Sequence, residues 1–121
     1  MPSRERVTDL IRYVGEQRFM DALVEFYYPD ITMQENNAPP REGIVTCLAF
    51  EEAFLETVAQ WHETKAASFL IDGDRVAIHW VFDRTAKDGT RATRDEIAYQ
   101  VWHGDRIISE RFYYDPTPPS K

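Results

Sequence analysis

The sequence predicts an α+β fold in which three N-terminal helices are followed by an antiparallel sheet. Up to about residue 62 apolar residues recur at spacings of three and four, whereas beyond residue 65 they alternate. Three turn signals, "IDGDR", "KDGTR" and "HGDR", divide the second half into strands. A chain of 121 residues with 43% apolar content can bury one core without covalent staples, so a single domain over residues 1–115 is expected. The prolines of "DPTPPSK" cannot continue a strand, and residues 116–121 read as a loose tail.

Helix one runs from Ser3, a plausible N-cap, to about Gly15, with Val7, Leu10, Ile11 and Val14 on its apolar face. Helix two carries Phe19, Met20, Leu23, Phe26 and Tyr27 and stops at Pro29, which pushes Tyr28 out of helical geometry. Ile31–Glu35 alternates as a brief strand with Met33 and Glu35 inward, and "NNAPPREG" is a loop. Helix three is expected from about Ile44 to His62, because Ile44, Cys47, Leu48, Phe54, Leu55, Val58 and Trp61 keep one apolar arc. Glu51 and His62 fall inside that arc.

Four strands follow, roughly Lys65–Asp72, Arg75–Thr85, Arg91–His103 and Arg106–Tyr114. Alternation assigns Phe69, Ile71, Val76, Ile78, Trp80, Phe82, Ala98, Gln100, Trp102, Ile108, Phe112 and Tyr114 to the face under the helices. The opposite face, with Ala77, His79, Val81, Ile97, Tyr99, Val101 and Tyr113, is too apolar for plain solvent. A homodimer through it is expected.

With 14 basic against 21 acidic residues, a net charge of −7 and no basic stripe, neither nucleic acid nor an anionic membrane is an expected partner. Cys47 is the single cysteine, which excludes an internal disulfide and suits a reducing, cytoplasmic setting. No apolar run is long enough to span a bilayer. Histidine spacing and acidic pairs suited to a metal are missing, as are phosphate loops and dinucleotide fingerprints, so no metal and no cofactor is expected.

The segments "RFMDALVEFYYPDITMQEN", "PPREG", "GDRVAIHWVF" and "VWHGDRIISERFYYDP" together resemble the nuclear transport factor 2-like, or SnoaL-like, superfamily, which includes ketosteroid isomerase-like and polyketide cyclase-like proteins. The resemblance covers nearly the whole chain. It implies a cone-shaped barrel, a curved sheet wrapped on the helices, whose mouth opens to an apolar pocket. The fold serves isomerases, dehydratases, cyclases, epoxide hydrolases and pure binding modules, so it leaves the reaction open.

Tyr27–Asn36 aligns with the ketosteroid isomerase segment Tyr-Ala-Asp-Asp-Ala-Thr-Val-Glu-Asp-Pro, and Glu35 stands where those enzymes carry an aspartate base. The protonated acid of that family falls on or near Ala98, which removes steroid isomerisation by the same constellation. The family's tyrosine would be Tyr13 if two residues were deleted before helix two.

Glu35 is either a pocket carboxyl or a strand end paired with Arg41, Asn36 or Asn37. Glu110 and Gln100, both inward, could move a proton and hold an oxygen, or could form a buried structural pair. Glu51 either enters the pocket or pairs with a strand arginine, and His62 either caps helix three or carries protons near the mouth. Cys47 reads as packing, and His79 and His103 as non-catalytic. The expected ligand walls are Met33, Phe54, Trp61, Phe69, Trp80, Phe82, Trp102, Phe112 and Tyr114.

Two functions follow. The first is cofactor-independent proton transfer on a small apolar oxygenated molecule, which requires a cavity of roughly 300 Å³ or more and a carboxyl of raised pKa. The second is a non-catalytic ligand-binding or dimerisation module whose cone is filled by its own side chains.

Overall fold

Ser3 accepts the Arg6 backbone N–H at 3.1 Å and opens α1, Arg4–Gly15, whose buried stripe is Val7, Leu10 and Val14. The structure, a computed structural model, describes residues 1–117; residues 118–121, most of the expected tail, lie outside the described residues. Helix α2, Phe19–Phe26, buries Ala22, Leu23 and Phe26 and passes without a loop into β1, Tyr27–Glu35. The first strand thus starts four residues before the expected Ile31, because Tyr27 is already extended and pairs with Ile107. Pro29 falls in the irregular stretch between the paired residues Tyr27 and Thr32, where a missing N–H breaks no ladder. Inside the expected loop, β2, Arg41–Glu42, pairs antiparallel with β1.

Helix α3 is Ile44–Leu55 and ends before the expected His62; Val58–Asp72 is one long strand, β3. The discrepancy has a physical cause. Strand β3 shifts register against its neighbour between Val58 and Gln60, between Trp61 and Glu63, and between Ala66 and Ser68. Each bulge adds a residue, so the inward side chains Val58, Trp61 and Thr64 come three apart and imitate helical spacing. Trp61 and His62 therefore belong to a strand.

Strands β4, Arg75–Ala86, β5, Arg91–His103, and β6, Arg106–Tyr114, complete the meander. The β3–β4 and β5–β6 loops hold two residues each and begin with Gly73 and Gly104 at φ +60° and +62°, a conformation that other residues adopt only with strain. The sheet order is β2-β1-β6-β5-β4-β3, antiparallel except for the parallel pair β1–β6. A further bulge on β6 overturns one inward assignment: Trp102 pairs with Ile107, and Ile108 is the extra residue, 40% exposed while Ile107 is fully buried.

The core joins Val7, Leu10, Leu23 and Phe26 of the helices to Ile31, Val76, Ile78, Ala98, Trp102 and Ile107 of the sheet. On the outer face Ile97, Tyr99 and Tyr113 remain exposed. No helix among the described residues is long and apolar enough to cross a membrane.

Candidate functional site

Between the three helices and the concave face of the sheet lies a cavity of about 260 Å³. Leu10 and Val14 of α1, Phe19 and Leu23 of α2, and Phe50 and Phe54 of α3 form one wall; Met33, Trp61, Phe82 and Phe112 form the other. Trp61 anchors the aromatic lining, with ring centroids 5.0 Å from Phe19, 6.0 Å from Phe82 and 6.3 Å from Phe54.

Into these apolar walls project three carboxyls, three guanidinium groups and two phenols: Glu35, Glu51, Glu96, Arg41, Arg84, Arg94, Tyr27 and Tyr114. Alternation on β1 turns Glu35 inward after Met33, where it accepts Arg41 Nη2 at 3.0 Å and the Tyr114 hydroxyl at 3.1 Å. Arg41 lies over the Phe50 ring, and its buried Nε has no hydrogen-bond partner among the described residues. Glu51 follows Cys47 by one helical turn and faces the same way. It makes no hydrogen bond or ion pair to any described residue, and burial, aided by the Glu35 charge and opposed by Arg41, raises its pKa to about 7.

Glu96 is two residues before Ala98 on β5 and is 8% exposed. Its carboxyl lies 3.9 Å from Arg94, yet burial outweighs that guanidinium and raises the pKa to about 8. At such a distance the pair holds no good hydrogen bond, so desolvation decides.

Glu110 stands behind the cavity wall rather than in it. Its Oε1 accepts the Tyr27 hydroxyl at 2.5 Å and its Oε2 accepts Gln100 Nε2 at 2.6 Å, while Gln100 Oε1 accepts Trp102 Nε1 at 3.0 Å. Burial raises the Glu110 pKa to about 7 against the lowering effect of both hydrogen bonds. Burial and the adjoining Glu110 charge push the Tyr27 phenol well above its ordinary value. Tyr27 lines the cavity and is the only contact through which Glu110 reaches it among these hydrogen-bond partners.

Of the residues singled out in the sequence, Glu35, Glu51, Met33, Phe54, Trp61, Phe82, Phe112 and Tyr114 line the cavity. Three expected wall residues lie elsewhere. Trp102 is sealed in the core by its bond to Gln100, Trp80 stacks behind Phe82 at 5.6 Å, and Phe69 sits under the Arg4 guanidinium at 4.7 Å. Tyr13 packs edge-on against Phe26 and under Arg18, outside the cavity. His62 is exposed on β3, 2.7 Å from Thr85 Oγ1, so it neither caps a helix nor reaches the cavity.

The cavity also holds Tyr27, Phe50, Arg84, Arg94 and Glu96, which are not among the expected site residues, and Arg41, which is expected only as a partner of Glu35. Carrying the alternation two and four residues back from Ala98, and two forward from Phe82, finds Glu96, Arg94 and Arg84. Among the described residues no group of three His, Cys, Asp or Glu side chains is placed to hold a metal ion.

The SnoaL-like domain profile matches residues 7–111. No functionally curated protein matches the chain in sequence. Among solved structures, one from Mesorhizobium loti, assigned provisionally as a SnoaL-like polyketide cyclase, is similar with a TM-score of 0.79 at 24% identity; the match covers 94% of this chain and all of the other. A ketosteroid isomerase-like protein of Catenulispora acidiphila in complex with trimethylamine matches at TM-score 0.78 and 17% identity, covering 94% of this chain and 88% of the other. TerC co-crystallised with polyporic acid matches at 0.77 and 15%, covering 92% and 89%. These likenesses establish the fold.

Proposed function

The chain belongs to the SnoaL-like domain family, and from that premise we propose that it is a cofactor-independent proton-transfer enzyme of the isomerase, cyclase or dehydratase kind. Its substrate is a small, mostly apolar, oxygenated molecule held in the cavity. One observation carries the reading: Glu51 presents to aromatic walls a carboxyl with no hydrogen-bond partner among the described residues, and burial raises its pKa to about 7. A group that is half protonated near neutrality serves equally as base and acid. The Glu51 carboxylate takes a proton from carbon beside a carbonyl, the C–H electron pair becomes a C=C bond as the carbonyl π pair moves to oxygen, and the new Glu51 O–H returns the proton to a carbon of the dienolate as the carbonyl re-forms.

The developing oxyanion needs a donor, and Tyr27 is placed to supply one. When Glu110 is protonated it can donate to Tyr27 Oη, which frees the phenol proton to point into the cavity. The cavity of about 260 Å³ falls slightly below the lower range for drug-sized ligands, which favours a small substrate.

A binding-only role has one observation in its favour, since both oxygens of Glu35 and of Glu110 are already engaged. NMR-detected hydrogen–deuterium exchange at the carbon acids of a panel of small cyclic ketones and β-dicarbonyl compounds separates the two readings. Exchange by the wild type that disappears in Glu51→Gln supports the enzyme. Binding without exchange by any panel member selects the module. The reading also includes a homodimer through Ile97, Tyr99 and Tyr113, which are 39%, 39% and 44% exposed; sedimentation of a monomer at high micromolar concentration removes that part.

A further inference from the structure

Two of the cavity's guanidinium groups have no adequate partner among the described residues. Arg84 and Arg94 project from adjacent strands on the same face, because Arg84 pairs with Ala92 and Phe82 pairs with Arg94, making the arginines diagonal neighbours. Like charges so placed repel each other. Arg84 makes no hydrogen bond or ion pair with any described residue, and its Cζ lies over the Phe54 ring at 4.9 Å. Arg94 stacks on Tyr114 at 4.1 Å and has only the 3.9 Å contact with Glu96.

Each guanidinium group rests on an aromatic ring, and no described residue accepts a hydrogen bond from either. The two side chains also line a second, polar depression of about 370 Å³ with Thr93, Asp95 and Asp115, so they stand where the apolar cavity meets polar surroundings. Neither aspartate forms an ion pair with them: Asp95 is bonded to His79 Nε2 at 2.8 Å, and Asp115 accepts the Thr117 backbone N–H at 2.9 Å. Burial lowers the Arg84 pKa, and the Arg94 charge adds to that. Glu96, neutral below about 8, offers Arg94 little compensation at neutral pH.

We propose that Arg84 and Arg94 are an anion-binding pair and that the ligand of the cavity is a small aromatic or alicyclic carboxylate, its charged end on the two guanidinium groups and its apolar body against Trp61, Phe82 and Phe54. The inference rests on the reading of the cavity as a ligand site. A planar carboxylate accepts two parallel N–H bonds from one guanidinium, and bridging two of them relieves their repulsion. The chain's overall negative charge makes this local positive end the feature that selects such a ligand.

The test uses matched pairs in isothermal titration calorimetry on the full chain: phenylacetate and phenylacetamide, 3-phenylpropionate and its amide, cyclohexanecarboxylate and its amide. At least one carboxylate is expected to bind about tenfold or more tightly than its amide, with the preference shrinking as salt rises. Arg84→Gln and Arg94→Gln should each erase that preference, and Arg84→Lys, which keeps the charge but not the fork, should retain part of it. Amides that bind as well as carboxylates overturn the anion pair and leave the cavity reading standing. Absence of binding by every member of both series overturns both. Cooperative unfolding of each variant near the wild-type midpoint ensures that a lost preference is not lost folding.

Discussion

Glu110 is held between Tyr27 and Gln100 at 3% exposure, where its charge is costly to keep away from water. Its pKa is raised from 4.5 to about 7, with burial the largest cause. A carboxyl that holds its proton more tightly when folded makes stability fall as pH rises from its unfolded value through its folded one. Below about 4.5 Glu110 adds no penalty; above about 7 the full penalty is present, and it amounts to roughly 3 kcal/mol.

Glu110→Gln reproduces the protonated state. The amide oxygen can accept Gln100 Nε2 and the amide nitrogen can donate to Tyr27 Oη, so no buried group is orphaned. At pH 8 the variant should therefore be more stable than wild type by roughly 1–3 kcal/mol, a rise in midpoint on the order of 5–10 °C. At pH 4.5 the two should agree. Urea and thermal unfolding at pH 4.5, 6, 7 and 8 measure the gap. A variant that is less stable at pH 8, or a gap that does not widen with pH, would refute the argument that desolvation governs this carboxyl.

The bulge on β6 predicts that Ile107→Ala costs about 2–5 kcal/mol whereas Ile108→Ala stays within about 0.5 kcal/mol, read by urea midpoints; equal effects would mean the register is wrong. Trp102→Phe removes the donor to Gln100 Oε1 and should cost roughly 2–4 kcal/mol, while a loss under about 1 kcal/mol would show that the network tolerates an unpaired amide oxygen. A double-mutant cycle of Arg41→Met with Glu35→Gln should give a coupling of about 1 kcal/mol for this partly buried pair. Additive single effects would show that the 3.0 Å contact contributes nothing.

How much of this was legible in the sequence depends on whether periodicity stayed regular. Alternation on β4 and β5 runs without interruption, and there the inward side chains Ile78, Trp80, Ala98, Gln100 and Trp102 are found where the pattern puts them. Where bulges interrupt the ladder the pattern misleads: the irregular start of β3 resembles a helix, and the extra residue in β6 exchanges Ile107 with Ile108.

The charged part of the site was concealed for a different reason. Glu96, Arg94 and Arg84 obey the alternation, but charged side chains read as solvent-facing unless a cavity is known to receive them. Tyr27 was read as the last apolar residue of a helix, and only its place as the first residue of β1 aims the hydroxyl at Glu110.

The parallel pairing of β1 with β6 governs the order in which the chain can assemble. The meander from β3 to β6 closes through short local turns, whereas Tyr27 and Glu110 are 83 residues apart, Glu35 and Tyr114 are 79, and Asn36 and Arg111 are 75. Contacts of that sequence separation carry the largest loop-closure entropy and form late. The meander is therefore the folding scaffold, and the bonds that position Tyr27, Glu35 and Tyr114 come into being when the last seam zips. Native-state amide exchange should show β1 opening at lower free energy than β4 and β5. Equal protection across the sheet would show that the seam and the meander unfold as one unit.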